Sequence, residues 1–182
     1  MNKRALVIID LQNDYYPGGL WSLYNIEQAS KNARSVLESV RNSGDLVIHV
    51  RHEFEDNNAP FFLPDSEGAA IHADVMPLDN EPVVLKHAVN AFHQTNLKAL
   101  LDEHDIKELV LVGAMSHICI DAATRAAADY GYKVTLIEDA CASKDVEFDG
   151  KSVKAEDVHT AFMSALSFGY ADVVSTREWL EQ

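Results

Sequence analysis

Three residues in this chain supply a nucleophile, a carboxylate and an amine: Cys119, Asp10 and Lys86. Cys119 lies in Val110-Leu111-Val112-Gly113-Ala114-Met115-Ser116-His117-Ile118-Cys119-Ile120-Asp121. Leu109 to Val112 reads as a buried strand punctuated by Gly113. Ser116 is a plausible N-cap, because Ala122, Ala123, Ala126, Ala127 and Tyr130 then recur at helical spacing. Cys119 is therefore expected in the first turn of a helix, where unpaired N–H groups and the helix dipole favour a thiolate. The alternative is a small, buried, inert cysteine.

Asp10 and Lys86 sharpen the choice. Asp10 follows the apolar run Ala5 to Ile9, and Lys86 follows Val83-Val84-Leu85. Each would be partly desolvated at a strand end and would need an opposite charge. Paired, they satisfy one another and can serve the thiol, Lys86 by stabilising a thiolate and Asp10 by taking its proton. A purely structural Asp–Lys pair beside an inert cysteine is the competing reading.

The elements that must position these groups follow from apolar periodicity. Strands are expected at Lys3 to Ile9, Leu46 to Val50, Val83 to Leu85, Leu109 to Val112, Lys133 to Glu138 and Asp172 to Val174. Between them, Ile26, Ala29, Ala33, Val36, Leu37 and Val40 mark a helix closed by Gly44. Leu97, Leu100 and Leu101 mark another, with Thr95 as a possible cap. Val158, Ala161, Phe162, Ala165 and Leu166 mark a further helix. A capping box, Ser175-x-x-Glu178, opens a short last one. Val146 to Val153 reads as a hairpin turning at Asp149-Gly150. The alternation predicts an α/β fold: a doubly wound, mostly parallel six-stranded sheet with helices on both faces. In such sheets ligands bind at the carboxyl ends of the strands, where Asp10, Lys86 and Cys119 all fall.

With 182 residues and no repeat or linker, residues 1–182 are read as one domain. A formal charge of −14 argues against nucleic acid and anionic membrane as partners. No apolar run approaches the ~20 residues of a membrane span, and Ala5 to Ile9 is too short for a signal-peptide core. A cytoplasmic location is the default. The two cysteines suggest no disulfide framework, and Cys141 reads as a structural thiol. Gly150-Lys151-Ser152 lacks the rest of a phosphate loop, and no Gly-x-Gly-x-x-Gly supports a dinucleotide.

The motifs resemble those of the isochorismatase-like cysteine hydrolases, a superfamily that includes nicotinamidases, N-carbamoylsarcosine amidohydrolases and streptothricin hydrolase-like amidases. Val7-Ile8-Ile9-Asp10-Leu11-Gln12-Asn13-Asp14 is similar to their opening motif. Val84-Leu85-Lys86-His87 with Asn90-Ala91-Phe92 is similar to their lysine motif. Gly113 to Ile120 is similar to their nucleophile motif, and Glu138-Asp139-Ala140-Cys141-Ala142 to their next strand end. The resemblance implies a Cys119–Asp10–Lys86 triad and a cis peptide before Met115. It also implies an oxyanion hole from the Met115 and Cys119 N–H groups, and commonly a homo-oligomer. Isochorismatases proper do not depend on this cysteine, so its presence favours amide chemistry.

Nicotinamidases carry an Asp-x-His and a later His for a metal. Here that place reads Arg51-His52-Glu53 without the aspartate, although His52, Glu53 and His72 remain an alternative ligand set. Ser116 to Asp121 and the hairpin after Cys141 resemble the streptothricin hydrolase-like branch most. Substrate-lining candidates by position are Gln12, Tyr15, Trp21, Phe54, Phe92, His117 and Ile118, with His117 a pocket or turn residue rather than a base. The long 54–82 connection is expected to serve a pocket, its own or a neighbouring subunit's. The expectation is thus a metal-independent, cofactor-free cysteine hydrolase of a small amide, lactam or carbamoyl compound. Its rivals are a metal-dependent nicotinamidase-like hydrolase and an inactive binding or assembly protein.

Overall fold

A computed structural model of the protein describes residues 3–56 and 58–181. The single-domain expectation for 1–182 also takes in residues 1, 2, 57 and 182, which lie outside the described residues. The chain runs β1 (Arg4–Ile9), α1 (Ile26–Ser43), β2 (Leu46–His52), β3 (Val83–Lys86), α2 (Leu97–Glu103), β4 (Glu108–Ala114) and α3 (Asp121–Asp129). It continues through β5 (Lys133–Ala142), β6 (Val146–Phe148), β7 (Lys151–Val153), α4 (Ala155–Ser167), β8 (Asp172–Val174) and α5 (Thr176–Leu180). Six strands form one parallel sheet in the order β3-β2-β1-β4-β5-β8. The expected doubly wound α/β fold is present.

Alternation along β1 divides the core. Leu6 and Ile8 pack with Ala33, Val36, Leu37 and Val40 of α1 and with Trp179 of α5. Ala5, Val7 and Ile9 pack with Leu97 and Leu101 of α2, Ala123 and Ala127 of α3, and Met163 and Leu166 of α4. Both sheet faces are covered, which is why the central strands read as nearly continuous apolar runs.

β6 and β7 pair as the expected hairpin, with Asp149 and Gly150 both at positive φ as a type I′ turn requires. The Ser175–Glu178 capping box is formed. Asn96 rather than Thr95 holds the N-cap position of α2, without a side-chain cap bond, although Thr95 Oγ1 accepts the Leu97 N–H at 3.3 Å. Two elements differ from expectation. β5 continues four residues past Glu138, because Glu138 and Asp139 have partners that make polar residues tolerable there. Asp139 Oδ1 caps α5 through Thr176 N and Oγ1, both at 2.7 Å, and Glu138 faces His159. The second difference is at Cys119.

Ser116 does not cap a helix. Residues Ser116–Ile120 form a π turn that leads into α3 only at Asp121. The Ser116 hydroxyl donates instead to Ala142 O on β5 at 3.0 Å and meets His159 Nδ1 of α4 at 2.8 Å. A partner 26 residues downstream has outcompeted the local cap.

Gly113 controls how the chain reaches this turn. It has φ +133°, and a Cβ there would stand 1.9 Å from Ile9 O. Only glycine lets β4 pass β1 this closely. The β4–β5 register shifts between Leu111 and Gly113.

Candidate active site

Strand order reverses between β1 and β4, and the crevice at their carboxyl ends is the expected binding place of such a sheet. Asp10 leaves β1 there with φ +53°. Lys86 closes β3 in register with His52 of β2 and reaches across β2. Cys119 sits in the π turn after β4, a type of turn frequent at functional sites.

The three side chains meet. Lys86 Nζ is 2.8 Å from Asp10 Oδ2 and 3.3 Å from Cys119 Sγ, and it also donates to Ala88 O at 3.1 Å. Exposure is 0% for Asp10, 1% for Lys86 and 6% for Cys119, so the charges interact with little solvent screening. Lys86 and Cys119 both face the Asp10 carboxyl, which is charge-paired with the ammonium and stands beside the thiol.

Burial pushes the Asp10 carboxyl above its ordinary value of 3.8, against the pull of Lys86. Burial pulls Lys86 down, but Asp10 and Cys119 outweigh it and raise the ammonium overall. Burial and then Asp10 push the Cys119 thiol up, with Lys86 opposing. This corrects the expectation of a depressed thiol at a helix start, because the π turn and a buried carboxylate replace that environment. A thiol, a carboxyl and an ammonium thus share one buried cluster.

The Ala114–Met115 peptide is cis. Met115 O accepts the N–H groups of Ile118 at 3.0 Å and Ile120 at 3.2 Å. His117, half-buried, pairs through Nδ1 with Ser143 Oγ at 2.8 Å and stands edge-on to Phe162. Ile118 packs against both core faces.

Tyr15, Trp21 and Phe54 come together in one aromatic group, joined by Phe61 and Phe62. Ring centroids are 5.7 Å apart for Tyr15–Phe61, 4.6 Å for Tyr15–Phe62, 4.7 Å for Trp21–Phe61 and 5.2 Å for Phe54–Phe61. Tyr15 is buried, and burial, Asp10 and Cys119 push its phenol well up, so it stays neutral beside the triad. Asp14 ties this wall down. Its carboxylate accepts the Phe62 N–H at 2.7 Å and the Leu20 N–H at 3.1 Å. A Cβ on Gly68 would lie 2.3 Å from Asp14 Oδ1, so glycine is what lets the 54–82 connection close over it.

Two expected lining residues stand apart from this aromatic group. Gln12 is wholly buried, and its amide is spent on backbone. Nε2 donates to His52 O at 2.8 Å and Ala69 O at 2.7 Å, while Oε1 accepts the His52 N–H at 2.7 Å. Its amide ties β2 to the 54–82 connection. Phe92 packs on Tyr130 and Tyr132 rather than on the aromatic wall, in the same core cluster as Cys119. Cys141 is buried, donates to Ile137 O at 3.4 Å, and is pushed up to about 12 by burial, as a structural thiol should be.

The alternative metal set does not assemble. His52 Nδ1 is 3.0 Å from Lys86 Nζ. Glu53 is engaged by Arg51. His72 stacks on Tyr16 at 3.5 Å and accepts the Asp74 N–H. Among the described residues no group of three or more His, Cys, Asp or Glu side chains is arranged to hold a metal ion. A nicotinamidase-type metal does not fit the residues present.

Residues 4–178 match the isochorismatase domain family model. The uncharacterized isochorismatase family protein YddQ of Bacillus subtilis (strain 168) is 48% identical over 97% of this chain and 98% of its own length. The chain belongs to the isochorismatase family. A crystal structure of an Oleispira antarctica protein assigned to the isochorismatase hydrolases by similarity superposes with a TM-score of 0.96 at 51% identity, covering 100% of this chain and 97% of that one. A streptothricin hydrolase of Streptomyces noursei is 31% identical over 79% of this chain and 51% of its own. This isochorismatase-family chain is accordingly a family hydrolase in fold and sequence. Among its described residues no helix is long and apolar enough to cross a membrane.

Proposed function

We propose that this isochorismatase-family hydrolase is a cysteine-dependent amidohydrolase that cleaves a small amide, lactam or carbamoyl compound without a metal. One observation carries the reading: a buried Lys86 ammonium 2.8 Å from the Asp10 carboxylate and 3.3 Å from the Cys119 sulfur. An inert structural cysteine needs neither charge beside it, and burying both costs free energy.

The chemistry follows from the resting protonation states. Cys119 Sγ attacks the carbonyl carbon as Asp10 takes the thiol proton, and Lys86 offsets the charge that builds on sulfur. The carbonyl oxygen becomes an oxyanion held by the Met115 and Cys119 backbone N–H groups. Asp10 returns the proton to the leaving nitrogen, the C–N bond breaks, and an amine departs from a Cys119 thioester. Water, deprotonated by Asp10, then attacks the thioester. The acid leaves and the thiol is restored.

Tyr15, Trp21, Phe54, Phe61 and Phe62 form the apolar wall of the substrate chamber, with Ile118 and His117 at its turn side. The 54–82 connection serves the site of its own chain, since Phe61 and Phe62 pack on Tyr15. From the family resemblance we carry a homo-oligomeric protein.

The test is ammonia or amine release across a panel of small amides, comparing wild type with Cys119→Ser and Lys86→Ala, with and without chelator. Chelator-insensitive turnover lost in both variants is expected. Turnover abolished by chelator, or retained in Cys119→Ser, would contradict the proposal.

A further inference from the structure

His52 is the buried group beside the triad that this chemistry leaves unused. Its side chain is 6% exposed. Its ring stands edge-on to Phe54 at 4.5 Å and lies 6.2 Å from Phe62. The β2–β3 register sets it beside Lys86, and Nδ1 is 3.0 Å from Nζ. Gln12 grips its backbone from both sides, accepting its N–H at 2.7 Å and donating to its carbonyl at 2.8 Å.

Burial, followed by Lys86 and His87, drives the imidazole down to about 3, so it is neutral under all ordinary conditions. An ammonium can only donate, so Nδ1 accepts and the ring proton belongs on Nε2. A lysine stem is flexible, and a point charge such as Asp10 does not by itself fix where the ammonium sits. A rigid, uncharged acceptor does.

We propose that His52 is a positioning residue: a fixed neutral acceptor that, with Ala88 O, holds Lys86 Nζ on Asp10 and Cys119. The position that the family's metal reading assigns to a ligand set is here turned to orienting the catalytic amine. The inference rests on the triad reading, so the experiment must let the two fail separately.

The readout is the rate of iodoacetamide alkylation at Cys119 against pH, followed by peptide mass spectrometry, which needs no substrate. The proteins are wild type, Lys86→Met, His52→Ala, His52→Asn and His52→Gln. Asparagine places an acceptor oxygen near the Nδ1 position, and glutamine places its amide near Nε2. His52→Ala is expected to slow neutral-pH alkylation of Cys119 about tenfold. His52→Asn should recover to within about threefold of wild type, while His52→Gln should resemble His52→Ala.

Wild-type behaviour of His52→Ala, or rescue by Gln and not Asn, would overturn the inference, as would an Asn variant no better than Ala. Should His52→Ala fail to fold by circular dichroism, the Asn and Gln variants decide alone. A wild-type profile in Lys86→Met would instead sink the triad reading itself. A shift in Lys86→Met with none in His52→Ala would sink only the role of His52.

Discussion

Lys86 Nζ stands 2.8 Å from Asp10 Oδ2 with both side chains wholly removed from solvent. Such a pair is costly to bury and more costly to break, because one partner removed leaves the other charge uncompensated. Lys86→Met should lower unfolding free energy by about 3–5 kcal/mol. Adding Asp10→Asn should recover part of that loss, since the stranded charge is gone. Urea unfolding of the two single variants and the double variant measures both effects. Additive losses would mean that the pair is not coupled.

Acid should act on His52 in a defined window. Its folded-state pKa, about 3, lies below the ordinary 6.5. The unfolded chain therefore binds the proton first, and stability falls as pH drops from 6.5 toward 3. His52→Asn removes that proton difference and should flatten the slope by up to about 1.4 kcal/mol per pH unit. Asp10 has the opposite sign, because its folded pKa is raised. The acid limb of kcat/KM should accordingly lie above 3.8, the ordinary value. Urea unfolding and a pH–rate profile read the two separately.

Gly113→Ala should be among the most damaging small substitutions. Its added methyl meets Ile9 O at 1.9 Å at the carboxyl end of the β1–β4 pairing, at a φ that L residues avoid. A loss of about 2–4 kcal/mol is expected in denaturant unfolding, together with a slower Cys119 alkylation, because the turn after β4 must shift.

Asp14→Ala would leave the buried Phe62 N–H without its acceptor, at a cost of about 1–3 kcal/mol. The aromatic wall should loosen with it. In a Trp179→Phe background, Trp21 is the remaining indole, stacked on Phe61 at 4.7 Å, and acrylamide should quench it more strongly after Asp14→Ala. Unchanged quenching would show that Asp14 does not tie the wall.

Asp10, Lys86 and Cys119 were legible because each follows an apolar strand, and a doubly wound sheet brings such strand ends to one edge. The strand and helix alternation was legible for the same reason. What the sequence hid was decided by distant partners. Ser116 reads as a cap until Ala142 and His159 claim its hydroxyl. Gln12 reads as a lining residue until its amide is seen to span His52 and Ala69. Glu138 and Asp139 look like a strand end, yet β5 runs through them because Asp139 caps α5. Phe61 and Phe62 belong to the wall through a fold-back of the long connection, which no periodicity announces. His52 offered a metal-ligand reading, and only the register with Lys86 shows its lone pair already taken.

The proposed chemistry requires that Cys119 become covalently acylated. Acid-quenched intact-mass spectrometry during turnover of 4-nitrophenyl acetate, followed by peptide mapping, tests it most directly. A hydroxylamine-labile acyl adduct on Cys119 is expected, absent from Cys119→Ser and slowed in Lys86→Met. Turnover that leaves Cys119 unmodified and survives in Cys119→Ser would contradict it.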